Sequence, residues 1–69
     1  MSKIKIILNG EEKILPQNIT IQELIDILEL DSTKIAIEKD LEIIDVSDFS
    51  NIRLQENAKI EIVHFIGGG

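Results

Sequence analysis

Residues 3–30, KIKIILNGEEKILPQNITIQELIDILEL, change hydrophobic period halfway along, and that change decides the fold class. In KIKIILN the apolar side chains alternate: Ile4, Ile6 and Leu8 share one face and Lys3, Lys5 and Ile7 the other, the period-two pattern of a strand. Asn9-Gly10 follows, a dipeptide that takes positive φ at low cost and closes tight hairpins. EEKIL returns as a second strand, stopped at Pro16, which has no N–H to give to a ladder. Beyond it the spacing lengthens. Ile21, Leu24, Ile25 and Leu28 form one helical stripe with Gln22, Glu23, Asp26 and Glu29 facing water, which predicts a helix of about three turns. Thr20 with Glu23 makes a capping box at its start, and Asp31-Ser32 breaks it.

Outward from this stretch, KIAIE (34–38) predicts a third strand with Ile35 and Ile37 inward, and Lys39-Asp40 a turn into the short apolar piece LEII. Residues 45–54, DVSDFSNIRL, carry turn formers around one aromatic anchor, Phe49. QENAK is a polar turn in which Asn57 can take the left-handed conformation. KIEIVHFI (59–66) predicts the closing strand, followed by Gly67, Gly68 and Gly69. A hairpin and one amphipathic helix imply an α+β domain with the helix across one sheet face. If the closing strand lies beside the first, the architecture is a β-grasp, with a domain over residues 1–66 and a flexible glycine tail over 67–69.

Composition narrows the function. Sixty-nine residues make one domain, which buries only about 60% of its unfolded surface. With no cysteine, stability rests on a dense aliphatic core. A net charge of −6 argues against nucleic acid and anionic membrane as partners and favours a basic docking surface on a protein. With neither a signal peptide nor a membrane span in the sequence, the expected compartment is the cytoplasm.

Catalytic groups are scarce. His64 has no companions at metal-ligand spacing and no nucleophile near it in sequence, so no metal and no catalytic residue are assigned. The acidic pairs Glu11 and Glu12, Asp45 and Asp48, Glu56 and Glu61 read as a solvated surface or as complementarity to a basic partner. The closing strand is more informative. With Ile60 and Ile62 turned to the core, Val63 and Phe65 fall on the opposite face beside Ile7, where a single helix cannot cover them, so an interaction surface is expected. The three glycines can run extended through a narrow slot of another protein. The chemistry that suits such a tail is activation of its carboxylate as an acyl-adenylate, then displacement of AMP by a sulfur donor.

LNGEEKILP, TIQELIDILEL, IAIEKDLEII and above all ENAKIEIVHFIGGG together resemble the ThiS family, the sulfur carrier proteins of thiamine (thiazole) biosynthesis. The resemblance implies a ubiquitin-like β-grasp and a protein cosubstrate that is not an enzyme and is monomeric when free. It implies that Gly69 is adenylated by a ubiquitin-activating-type enzyme using ATP, with no cofactor bound permanently. The adenylate is then thiocarboxylated with sulfur from cysteine by the cysteine desulfurase route, and the sulfur passes to thiazole synthase. Gly67 and Gly68 would thread into the partner, and Val63, His64, Phe65 and Ile66 would form the partner-binding surface. Where family members often have Asn-Gly before the fourth strand, this chain has Lys39-Asp40. Three other readings are weighed beside the carrier: a molybdopterin-synthase small-subunit-type carrier, a β-grasp module that binds without covalent chemistry, and a ubiquitin-like modifier attached to lysines.

Overall fold

A computed structural model describes residues 2–65; Ile66 and the glycine tail, with their expected roles, lie outside the described residues. The element order is β1 (Lys3–Leu8), β2 (Glu11–Pro16), α1 (Ile21–Ile27), a 3-10 turn (Ser32–Lys34), β3 (Ile35–Lys39), β4 (Glu42–Ile44), a second 3-10 turn (Val46–Asp48) and β5 (Lys59–His64). The five strands form one mixed sheet in the order β2-β1-β5-β3-β4. β5 lies parallel to β1, with Ile7 opposite Lys59, and antiparallel to β3, with Ile37 opposite Ile62. The closing strand does lie beside the first, as a β-grasp requires.

The hairpin forms as its dipeptide demands. Asn9 and Gly10 both have positive φ, 49° and 83°, the turn whose twist matches the flanking strands. Pro16 ends β2, which is an edge strand, so its missing N–H costs the ladder nothing.

The helix is shorter than its apolar stripe suggests, seven residues rather than three turns. Its N-terminal donors are all accounted for. Ile21 N–H donates to the Ile52 carbonyl at 3.0 Å and Gln22 N–H to that of Phe49 at 2.9 Å. Glu23 N–H donates to Thr20 Oγ1, while the Glu23 carboxylate accepts from Thr20 N–H at 2.8 Å. The C-terminus closes early because Glu29 turns left-handed, φ 58°. Its N–H then reaches the Asp26 carbonyl, and Leu30 N–H reaches that of Ile25, the two bonds of a Schellman stop. Leu30, expected in the helix, instead packs half-buried against the core beyond this stop.

The core lies between the helix and one sheet face. Ile6, Ile21, Leu24, Ile25, Ile37, Phe49 and Ile60 are each less than 2% exposed. Burying one such side chain contributes roughly 1.5–3 kcal/mol before entropy is counted. Phe49 is the anchor its segment needs, and the surrounding residues form the second 3-10 turn, capped by Asp45. Asn57 is left-handed, φ 69°.

Among the strand boundaries that differ from what the sequence predicts, two bear on a turn or on the end of the closing strand. β5 ends at His64, so Phe65 lies beyond the ladder and only its N–H is held, by the Lys34 carbonyl at 3.0 Å. The β3–β4 turn consists of Asp40 and Leu41, with φ 50° and 74°, rather than Lys39-Asp40. Register explains the shift: Lys39 pairs with Glu42 across the ladder, leaving two residues for the loop. Leu41 therefore occupies a position that suits glycine, with its side chain 80% exposed.

Leu41→Gly and Glu29→Gly each relieve a left-handed side chain. Each is expected to stabilise the domain by up to about 1 kcal/mol, read as a higher midpoint in urea unfolding.

Candidate functional site

The region that could present a C-terminal segment to a partner is the end of β5, and its geometry follows from sheet alternation. Ile60 and Ile62 point under the helix and are buried; Val63 and Phe65 are 60% and 57% exposed. The single α-helix among the described residues covers one face of five strands, so the other is left to solvent. Ala36 on β3 lies directly opposite Val63, and one strand further Ile43 on β4 pairs with Glu38. Ala36, Ile43 and Val63 line a depression of about 130 Å³ together with Glu38 and Glu61.

The sequence places Val63 and Phe65 on this face but misses Ala36 and Ile43, because nothing local says that β3 and β4 complete the sheet beyond β5. The alternation in LEII is the available signal: Ile44 packs against the core, so Ile43 must face outward. Ile7, on the same face, is half-buried. His64 is exposed on the other face, opposite Ile35; it ends a central strand and is not an edge residue. Ile66, Gly67, Gly68 and Gly69 are the site residues outside the described chain.

Position along the site is held by a side chain that the sequence marks only as a turn former. The Asn9 amide takes the place of a peptide unit beyond the end of β1. Ile62 N–H donates to Asn9 Oδ1 at 2.8 Å, and Asn9 Nδ2 donates to the Ile62 carbonyl at 3.4 Å. Asn9 N–H also reaches the Ile60 carbonyl at 2.9 Å. Thus the hairpin turn clamps β5 one residue before Val63. At the other end of β5, Asp40 N–H donates to the Lys59 carbonyl, and Lys59 N–H returns to Asp40 Oδ1 at 3.0 Å.

Acidic side chains elsewhere serve the backbone. The Lys59 N–H holds the Asp40 carboxyl below the usual range, helped by Lys39. Thr33, through its hydroxyl and then its N–H, does the same for Asp31, and Ser47 for Asp45. Glu12 pairs with Lys5 at 3.6 Å, and Glu56 accepts from Lys5 N–H. Among the described residues no three His, Asp or Glu side chains converge as a metal site. No described helix is long and apolar enough to cross a membrane.

These features define a class, a β-grasp domain with one described helix, a central closing strand and a sheet face that the helix leaves uncovered. The sequence model of the ThiS family matches residues 3–69. Over 66 residues the chain is 39% identical to the thiazole synthase of Paramagnetospirillum magneticum, covering 96% of this chain and 20% of that protein. It is 36% identical to the thiazole synthase of Magnetococcus marinus, with the same coverage. The chain thus spans about a fifth of the length of these two relatives. Over 50 residues it is 38% identical to the sulfur carrier protein ThiS of Bacillus subtilis, covering 72% of this chain and 76% of that one. The crystal structure of the thiamine biosynthesis protein (ThiS) from Geobacter metallireducens superposes with a TM-score of 0.83 at 19% identity, covering 96% of this chain and all of that one, which establishes the shared fold. The chain belongs to the ThiS family.

Two outcomes test this geometry. Asn9→Gly keeps the left-handed turn but removes both side-chain bonds to Ile62, and should cost about 1–2 kcal/mol in chemical denaturation. For acid, the folded-state values of Asp31, Asp40 and Asp45 lie below the unfolded ones. Their stabilisation is therefore present above about pH 4 and is lost as pH falls further, through the lowered values. A denaturation series from about pH 5 to 2 should show this loss, and Asp40→Asn should flatten it.

Proposed function

We propose that this chain is a sulfur carrier for thiazole formation in thiamine biosynthesis, a protein cosubstrate rather than an enzyme. The observation that carries the reading is the family match, which spans residues 3–69, from the first strand through Gly69. The names of the two thiazole synthase relatives support the thiazole branch over a molybdopterin-type carrier.

In this reading the Gly69 carboxylate attacks the α-phosphate of ATP on a ubiquitin-activating-type enzyme, giving an acyl-adenylate and releasing pyrophosphate. Activation is needed because a free carboxylate is a poor electrophile. A desulfurase moves the sulfur of cysteine onto one of its own thiols as a persulfide, releasing alanine. A dithiol reductant supplies two electrons to bring that sulfur to the sulfide level, becoming a disulfide itself. The sulfur then adds to the acyl carbon, and AMP leaves with the electrons of the broken C–O bond. The thiocarboxylate formed gives its sulfur to thiazole synthase. Gly67 and Gly68 suit passage through a narrow channel because they have no side chains to clash with its walls. ATP belongs to the activating enzyme and is not a resident cofactor of this chain, which works in the cytoplasm.

Val63, His64, Phe65 and Ile66 form the contact region in this reading. Support comes from the exposure of Val63, on the sheet face that no described helix covers, and of Phe65, just past the strand, shortly before the glycines.

Incubation with the activating enzyme, ATP and a sulfur source should exchange one terminal oxygen for sulfur, seen as a mass shift of the intact chain. Deleting Gly69 should abolish the shift and leave the melting temperature unchanged. Val63→Asp or Phe65→Asp should slow it by about tenfold or more without unfolding the domain. An unmodified wild-type chain under these conditions would refute the carrier reading.

A further inference from the structure

The uncovered sheet face carries a charge arrangement that the folded domain does not need. Glu38 on β3 and Glu61 on β5 are direct cross-strand partners. Like charges in that position destabilise a sheet, because their Cβ atoms are only about 5 Å apart. Among the described residues neither carboxylate takes part in an ion pair or a side-chain hydrogen bond; the pairs present are Lys5–Glu12 and Lys39–Asp40. Lys59, two residues before Glu61 on the same face, makes no ion pair within 4.0 Å among the described residues. The two carboxylates sit in an apolar frame, with Val63 and Ala36 paired on one side and Ile43 paired to Glu38 on the other. All five residues line one depression.

We propose that this depression receives an arginine side chain from the activating enzyme, and that Glu38 and Glu61 determine the specificity of that docking. The inference rests on the carrier reading for the identity of the partner. The chemistry of the occupant comes from the site itself. Two adjacent carboxylates call for a cation, and a planar guanidinium has enough N–H donors to serve both at once. An ammonium offers a point charge without that fork. The aliphatic stem of an arginine can lie along Ala36, Ile43 and Val63, covering apolar surface while its head stays at the carboxylates. Binding thereby removes the Glu38–Glu61 repulsion of the free domain, so the interaction gains twice from one contact. The net charge of −6 adds long-range attraction to a basic partner.

The test is calorimetric titration of the full chain into the activating enzyme without ATP, at several salt concentrations, comparing wild type with the Glu38→Gln/Glu61→Gln double variant. Affinity should fall about tenfold in the variant, and its salt dependence should become shallower. The melting temperature of the free variant should stay level or rise, because the change removes a repulsion. A variant that binds within about twofold of wild type, or weakens with an unchanged salt dependence, overturns the assignment. So does a free variant that is destabilised. A wild-type chain that binds in this carboxylate-dependent way yet is never thiocarboxylated would refute the carrier reading while supporting this docking site.

Discussion

The placement of β5 between β1 and β3 is the constraint on which the rest of the structure depends. Strands that lie far apart in sequence must meet there. Ile7 pairs with Lys59 on one side of β5, and Ile37 with Ile62 on the other. Closing so large a loop costs entropy that local structure cannot return, so the pairing must be secured by contacts of its own. Buried Ile60 and Ile62 supply the apolar part. Asn9 supplies the polar part at one end of the strand, and Asp40 at the other. Both come from hairpin turns, so the turns that reverse the chain also fix the register of the strand between them.

A central β5 has a functional consequence. Its neighbours hold it on both sides, so the strand ends at His64 in the middle of the sheet. The same geometry sets the uncovered face. One seven-residue helix shields one side of five strands, and the loop through Phe49 completes that side by accepting the first two helix N–H groups. On the opposite side Val63 is left exposed with Ile43, beside two carboxylates that form no ion pair among the described residues, and Phe65, just past the strand, is exposed too. A domain selected only for stability would gain by placing polar or oppositely charged residues there. The unpartnered face is where the proposed carrier would meet another protein.

Much of the candidate site is legible in the amino-acid sequence. Period two in KIEIVHFI divides core from surface, so Ile60 and Ile62 are separable from Val63 and Phe65. What stays hidden is which other residues share the face. Ala36 and Ile43 join it through β3–β5 and β3–β4 pairing, and no short stretch records which strand will lie next to which. Asn9 is readable as a turn residue and unreadable as a clamp for the same reason: its partner, Ile62, lies 53 positions away.

The sequence by itself determined the elements whose causes are local. The Asn9-Gly10 turn, the Thr20–Glu23 capping box, the apolar stripe of α1 and the alternation of each strand act within a few residues and appear where they were expected. Only the tertiary structure decided where elements stop and what they meet. The helix stripe continues past Ile27, yet Glu29 turns left-handed and Leu30 packs back on the core. The β3–β4 turn moved to Asp40 and Leu41 because ladder register, rather than the preference of either residue, sets the loop. The physical reason is common to both: local preferences differ by about 1 kcal/mol or less per residue, and burying one aliphatic side chain in the shared core outweighs them.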